Sequence, residues 1–534
     1  MRRIFHIALQ LVFATGLLAV AACGKKEGGL GENPYAGGKP PLGVTFERLN
    51  RPLPSARPND VILVSVRGLK EYANVLEAYV NEEPSQVVSV SDSTMEVRLP
   101  DHVASGILKL KINEQIFFGP KVTVEGKVRI DTDYGIVNGY DMWVSQILPV
   151  SPNMWVVGSF TNFENEASNT VFRNGISVLN STGKSVTEVT SYNPGRGAEG
   201  GLSSITRLPD GKFIVAGNMA SYNRLPVNGL TRLLPNGALD TARVELINTT
   251  PERPQNAFDT LPAFNANLYG SVVKVFATPD TGVIAVGGFL AHSYVDYTFS
   301  SRETKTHFMT NVNNIVRLKA NGRVDSTFSF QNIRANGFVS DAVQLSDGRI
   351  VVVGSFTTFN GVTANRIVAF NLDGSINTNF AANIGVGANA DIFSISYNAT
   401  RNKIALAGRF STFAGKPRFG VVILNADGTI DETFTLGDVE GRIPNYAYVM
   451  NSGQILVSGD FVRYNGINRS KLLILEPTGA ALQDYNNMGS FFGRVNTVIE
   501  TTSSLGHPAL LIGGSIGMAD GRPVGNIFKL EVRN

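Results

Sequence analysis

Residues 338–380 read FVSDAVQLSDGRIVVVGSFTTFNGVTANRIVAFNLDGSINTNF, and the fold turns on how that stretch divides. Phe338 to Leu345 alternates apolar and polar side chains, the period-2 pattern of a half-buried strand. Asp347-Gly348 follows, and both residue types tolerate the positive φ of a tight hairpin. Arg349 to Phe356 is a second strand, Phe359-Asn360-Gly361 lies in the next loop, and Arg366 to Leu372 is a third strand. Asp373-Gly374 turns the chain again, and Ser375 to Phe380 is expected as a fourth. Four antiparallel strands joined this way make one propeller blade.

Working outward, the second strand ends in Val353-Gly354-Ser355-Phe356, an apolar run closing on Gly-x-apolar. The same signature stands at Gly158, Gly217, Gly287, Gly408, Gly459 and Gly514, each glycine followed two positions later by an apolar residue. Repetition at this period predicts radial units, here seven blades. The last repeat stops after its third strand, Asn526 to Leu530. Its missing fourth strand is expected at Val128 to Tyr134, which matches Ile430 to Phe434. Closure by strands from both ends removes the open edges that invite aggregation. The repeat resembles the delta-60 type of propeller repeat, most clearly in blades four to six.

Residues 42–125 are also strand-like. Val61 to Val66, Gln86 to Val90, Met95 to Leu99 and Gly106 to Ile112 are short apolar-polar runs separated by turns, as in an antiparallel sandwich. Val66-Arg67-Gly68-Leu69, Ser91 to Met95, Leu99-Pro100 and Gly106-Ile107-Leu108 together resemble an IPT/TIG domain, the immunoglobulin-like module. The expected fold is therefore all-β, a small immunoglobulin-like sandwich followed by a seven-bladed propeller at 126–534.

At the N-terminus Arg2 and Arg3 precede a mostly apolar stretch, Ile4 to Ala19, and then Val20-Ala21-Ala22-Cys23. That is the layout of a signal peptide over 1–22. It resembles the bacterial lipobox, which implies lipidation of Cys23. Cys23 is the only cysteine, so no disulfide can form within the chain and stability must come from its core. Residues 23–41 read as a flexible tether rich in Gly, Pro and Lys. Gly24-Lys25-Lys26-Glu27 is similar to the surface-export signal of Bacteroidota lipoproteins. These resemblances imply an outer-membrane protein, lipid-anchored and facing the cell exterior. They also imply company: relatives with this architecture accompany nutrient-uptake porins and their lipoprotein lids.

Composition narrows the chemistry. The net charge is +3, and Arg2 and Arg3 contribute two of those charges, so the remainder carries no concentrated basic character and nucleic acid is not an expected partner. His102, His292, His307 and His507 are scattered and without a metal-binding spacing, so neither a metal nor a cofactor is expected. Gly513-Gly514-Ser515-Ile516-Gly517 satisfies the pattern of a nucleophile elbow, but it coincides with a blade strand. Asp131, Asp133 and Gly135 open like a calcium loop, yet Met142 stands where its glutamate belongs. Asp131 instead matches Asp240, Asp325 and Asp431 of the repeat.

Two long insertions, Thr241 to Gly270 and Leu290 to Asn313, both fall on the propeller face that carries second-to-third-strand and blade-to-blade loops. They are expected side by side. The second holds Tyr294, Tyr297, Phe299, Arg302, His307 and Phe308, residue types suited to stacking on sugars or anchoring a protein. The expected function is a non-catalytic accessory of an outer-membrane glycan-uptake system. A glycan-cleaving enzyme and an adhesion or scaffold protein are the alternatives.

Overall fold

The computed structural model describes residues 41–47, 52–166, 173–186, 197–328, 334–469 and 471–533. The signal peptide, Cys23 and nearly all of the tether lie outside the described residues. Among the described residues no helix is long and apolar enough to cross a membrane.

The first unit is built from β1 (Thr45–Phe46), β2 (Val61–Arg67), β3 (Leu76–Val80), β4 (Glu83–Val90), β5 (Thr94–Arg98), β6 (Gly106–Ile112) and β7 (Gln115–Val122). β4 belongs to two layers. Its start pairs with β3 and its end with β5, giving the orders β1-β2-β5-β4 and β4-β3-β6-β7. Val64, Val66, Met95 and Val97 of one layer meet Ala78, Val80, Leu108 and Leu110 of the other in a single core. The alternation seen in the sequence is therefore the sandwich interior.

Seven antiparallel sheets follow, and they form the propeller. The first strands of successive blades touch all the way round the ring, and Phe492–Thr502 of blade seven touches Val144–Val150 of blade one. These first strands line the axis. Closure occurs where expected: β8 (Val128–Ile130) pairs with Ile527–Val532, with Arg129 opposite Glu531.

The repeat glycines mark a bulge. In blade four the register slips between Val339 and Asp341, opposite Gly354. A Cβ on Gly354 would stand 1.9 Å from the Phe338 carbonyl oxygen, and one on Gly514 would stand 2.0 Å from that of Arg494. A side chain cannot fit where the bulged first strand crosses so closely.

The fourth strands differ from expectation. Among the described residues each is reduced in blades one to six to one bridge, such as Phe370 with Ile376 or Leu424 with Ile430. In blade four Asn377 caps a helix, Thr378–Ile384, by accepting a hydrogen bond from Phe380 N–H. Of the residues expected as a strand at Ser375 to Phe380, Ile376 keeps the bridge and Thr378 to Phe380 turn helical, because the Asn377 side chain satisfies a free helix N–H.

The sandwich is bonded directly to blades six and seven. Ser105 N–H donates to the Asn487 carbonyl (2.8 Å), Asn468 N–H to the Glu83 carboxylate (2.7 Å), and Asn468 Nδ2 to the Asn81 carbonyl (2.8 Å). Buried Arg469 donates to the carbonyls of His102 (3.3 Å) and Asn486 (3.1 Å). These bonds dock the sandwich onto the propeller.

Candidate functional site

The loop face rests on a device absent from the sequence reading. Five residues after each repeat glycine stand Phe163, Tyr222, His292, Phe359, Phe413, Tyr464 and Ala519. Tyr222 donates its hydroxyl to the Gly237 carbonyl (2.9 Å), and Tyr464 does the same to Gly479 (2.5 Å). His292 takes the equivalent part in blade three, with Nε2 2.9 Å from the Gly322 carbonyl. Its burial lowers its pKa, which the bond to that carbonyl partly offsets. Most blades then turn sharply. Asn360-Gly361 and Asn465-Gly466 have positive φ at both residues, and the Asn360 side chain accepts from Arg334 N–H (2.9 Å). Blade three has no such turn, and its hairpin grows into the insertion.

That insertion forms the strands Ala291–Val295 and His307–Asn311, with Asn267–Tyr269 beside them. The preceding insertion forms a hairpin of Thr241–Glu245 and Phe258–Pro262. The two are joined by Ile247 N–H to the Ser300 carbonyl (2.9 Å) and by Lys305 to Asp259 (2.9 Å). Arg302 adds a bond to the Asn256 side chain (3.3 Å). They make one wall.

The six sequence candidates divide between holding this wall and facing solvent. Tyr294 is half-buried, stacked on Phe308 (5.3 Å between centroids) and covered by the Arg323 guanidinium (2.9 Å). Tyr297 is half-buried, and burial pushes its hydroxyl pKa up. His307 is exposed, with Nδ1 3.4 Å from the Ser293 hydroxyl. Phe299 (67% exposed) and Phe308 (57%) present open ring surface.

A second group surrounds the axis on the same face. The residue whose carbonyl meets the blade glycine is Trp143, Gly201, Ser271, Phe338, Asp391, Ile443 and Arg494 in blades one to seven. Trp143 is 42% and Phe338 82% exposed. Both sit two residues after an anchor. The Asp141 carboxylate accepts from the N–H groups of Thr161 (2.9 Å) and Asn162 (3.0 Å), and the Asn336 side chain from those of Thr357 (2.8 Å) and Thr358 (2.9 Å).

Three residues further along the same strands a polar belt ties neighbouring blades. Gln146 accepts from Ser204 (2.8 Å), the Ser204 hydroxyl from Val275 N–H (3.1 Å), and Asp341 from Ile395 N–H (3.2 Å). Lys274 lies 3.6 Å from Asp341, and the two side chains are 20% and 16% exposed. The repeated aspartates are likewise committed to structure. Asp240 holds Lys212 and Arg232, Asp431 holds Lys403, and Asp131 accepts from Ser504. Gly513 to Gly517 lies within the strand Pro508–Ala519, without an elbow.

Among known proteins, residues 19–120 match a family model described as a domain of unknown function, DUF5008. Residues 208–242, 308–328, 345–380, 402–434 and 451–481 match DUF5122, described as a domain of unknown function with a beta-propeller. The chain thus combines a DUF5008-type N-terminal region with a DUF5122-type propeller. Solved structures similar to it include an auxiliary nutrient binding protein from Bacteroides thetaiotaomicron (10% identity, 91% of this chain and 99% of that one, TM-score 0.31). Another, from Bacteroides ovatus, has 9% identity over 89% and 95%, with a TM-score of 0.28. An oligogalacturonate lyase from Vibrio parahaemolyticus has 12% identity over 89% and 99%, with a TM-score of 0.39. No curated protein matches.

Proposed function

We propose that this chain is a non-catalytic binding protein, held to the outer membrane by a lipid on Cys23, that captures glycan at the cell exterior for an uptake porin and its lipoprotein lid. One observation carries the reading. The loop face presents exposed aromatic rings on rigid supports, while the repeated carboxylates are engaged in ion pairs and turns. Rigid, exposed aromatics favour binding, because little ordering entropy is lost when a ligand arrives. In this reading the wall bearing Tyr294, Tyr297, Phe299, Arg302, His307 and Phe308 is a contact surface, with Phe299 and Phe308 as its anchors.

The test is purification through a C-terminal tag from detergent-solubilised native membranes. Recovery of a porin and lid supports the accessory role. Recovery of the chain alone, under conditions where established porin complexes survive, contradicts it. Loss of the chain from the membrane fraction in Cys23→Ala tests the anchor separately.

A further inference from the structure

The wall is one place for a ligand, but the axis offers a better-built one. Trp143 and Phe338 occupy the same register position in blades one and four. Between them, blades two and three present only Gly201 and Ser271 at that position. Gly288, just past the second strand of blade three, adds another glycine, and a Cβ there would stand 2.8 Å from the Ser271 hydroxyl. The stretch between the two exposed rings is thus a trough of small residues, with the Ser159 hydroxyl lying 2.3 Å from where a Cβ on Gly201 would stand. The insertion wall rises from the same two blades, and Tyr269 (37% exposed) stands where the wall meets the trough.

Beneath the trough, Lys274 and Asp341 are the belt residues of blades three and four. They lie roughly 10 Å deeper at the rise of an extended strand. Together they offer donors and an acceptor with no net charge. We propose that this axial mouth is a subsite for a neutral oligosaccharide, with sugar rings stacked on Trp143 and Phe338 and hydroxyls bonded to Lys274 and Asp341. A sugar ring has flat C–H faces for the aromatics, and its hydroxyls can accept from the ammonium and donate to the carboxylate. An anionic or cationic ligand would leave one member of the pair in repulsion. The anchoring by Asp141 and Asn336 fixes the backbone two residues before each ring, which lowers the ordering a ligand must impose. This inference rests on the glycan-binding reading above and moves the sugar from the wall to the axis.

The chain contains its own reporter. It has two tryptophans, and Trp155 is buried (4% exposed) against Phe213. Emission that responds to a surface ligand must come from Trp143. The detergent-solubilised full chain is titrated with xylohexaose, cellohexaose, mannohexaose, maltohexaose and laminarihexaose, by fluorescence and by calorimetry. At least one is expected to shift the emission saturably. Trp143→Ala and Phe338→Ala are then expected to weaken the calorimetric affinity about tenfold or more. Phe118→Ala, an exposed ring on the sandwich, is the control that keeps parental affinity. Melting curves establish that each variant is folded, and Trp143→Phe is expected to restore most of the binding. Undiminished affinity in both Trp143→Ala and Phe338→Ala, with loss in Phe308→Ala, overturns the axial site and leaves the glycan reading standing. No heat and no emission change with any of the five sugars overturns the axial site as well, while copurification of the porin would still support the accessory role.

Discussion

Glu531 and Arg129 are 402 residues apart in sequence and 2.9 Å apart in space. They face each other across the strand pair that closes the propeller. Arg533 Nε donates to the same Glu531 oxygen (2.7 Å), and the glutamate is 1% exposed. Burial by itself would raise the pKa of this carboxyl. Bonds from Ser503, Arg533 and Arg129 outweigh it and hold the value at about 2.

The stability this clasp provides is therefore pH-dependent. The folded pKa lies below the ordinary value of 4.5, so the contribution is complete above about pH 4.5 and fades as pH falls towards 2. A depression of this size corresponds to about 3 kcal/mol. Glu531→Gln is expected to flatten the loss of stability between about pH 5 and pH 3, as read by denaturant unfolding across that range. Arg129→Ala should cost less than Glu531→Ala, because Arg533 still meets the carboxylate. Equal costs would mean that the two guanidiniums act as one unit.

Gly354 and Gly361 separate two reasons for glycine. At Gly354 a Cβ collides with the Phe338 carbonyl, so Gly354→Ala must displace a bulge shared by two strands. A loss of about 3 kcal/mol or more is expected. Gly361 has φ +74° with nothing within 4 Å of an added Cβ, so Gly361→Ala meets backbone strain alone and should cost about 1 kcal/mol. Thermal melts of the two variants give the comparison, and a milder effect at Gly354 would contradict the close-approach explanation.

His292 should behave as a substitute tyrosine. Its pKa is lowered by burial, so it is held neutral. As pH drops below the ordinary 6.5, the unfolded chain takes up a proton that the folded site resists, and stability falls. His292→Ala is expected to destabilise by about 2–4 kcal/mol, through lost packing and an unpaired Gly322 carbonyl. His292→Tyr copies blades two and six, and should recover much of that loss while removing the titration between pH 7 and about 5. A His292→Tyr variant as unstable as His292→Ala would show that blade three does not follow its neighbours here.

Much of this fold is legible in the residues. Seven repeat glycines mark seven blades, and Val128 to Tyr134 matches Ile430 to Phe434. The fourth strands were not legible. A single bridge and an Asn-capped helix begin with the same turn residues as a strand does, and Asn377 decides between them through one side-chain bond. The docking of the sandwich was hidden because it depends on backbone carbonyls such as those of Asn81 and Asn487. For the site, insertion length led to Phe299 and Phe308, but Tyr294 and Arg302 hold the wall together. Trp143 and Phe338 could have been found by aligning the residues that start each first strand. That alignment needed the register of the bulge, which the sequence does not display.

The most direct test of the account is to incubate the full chain with reducing-end-labelled oligosaccharides and to measure retention and product length in the same sample. Saturable retention of at least one sugar, recovered at its original length, is expected. Progressive shortening of the bound sugar, abolished by substituting a carboxylate at the axis such as Asp341 or Asp391, would contradict it and make the propeller an enzyme.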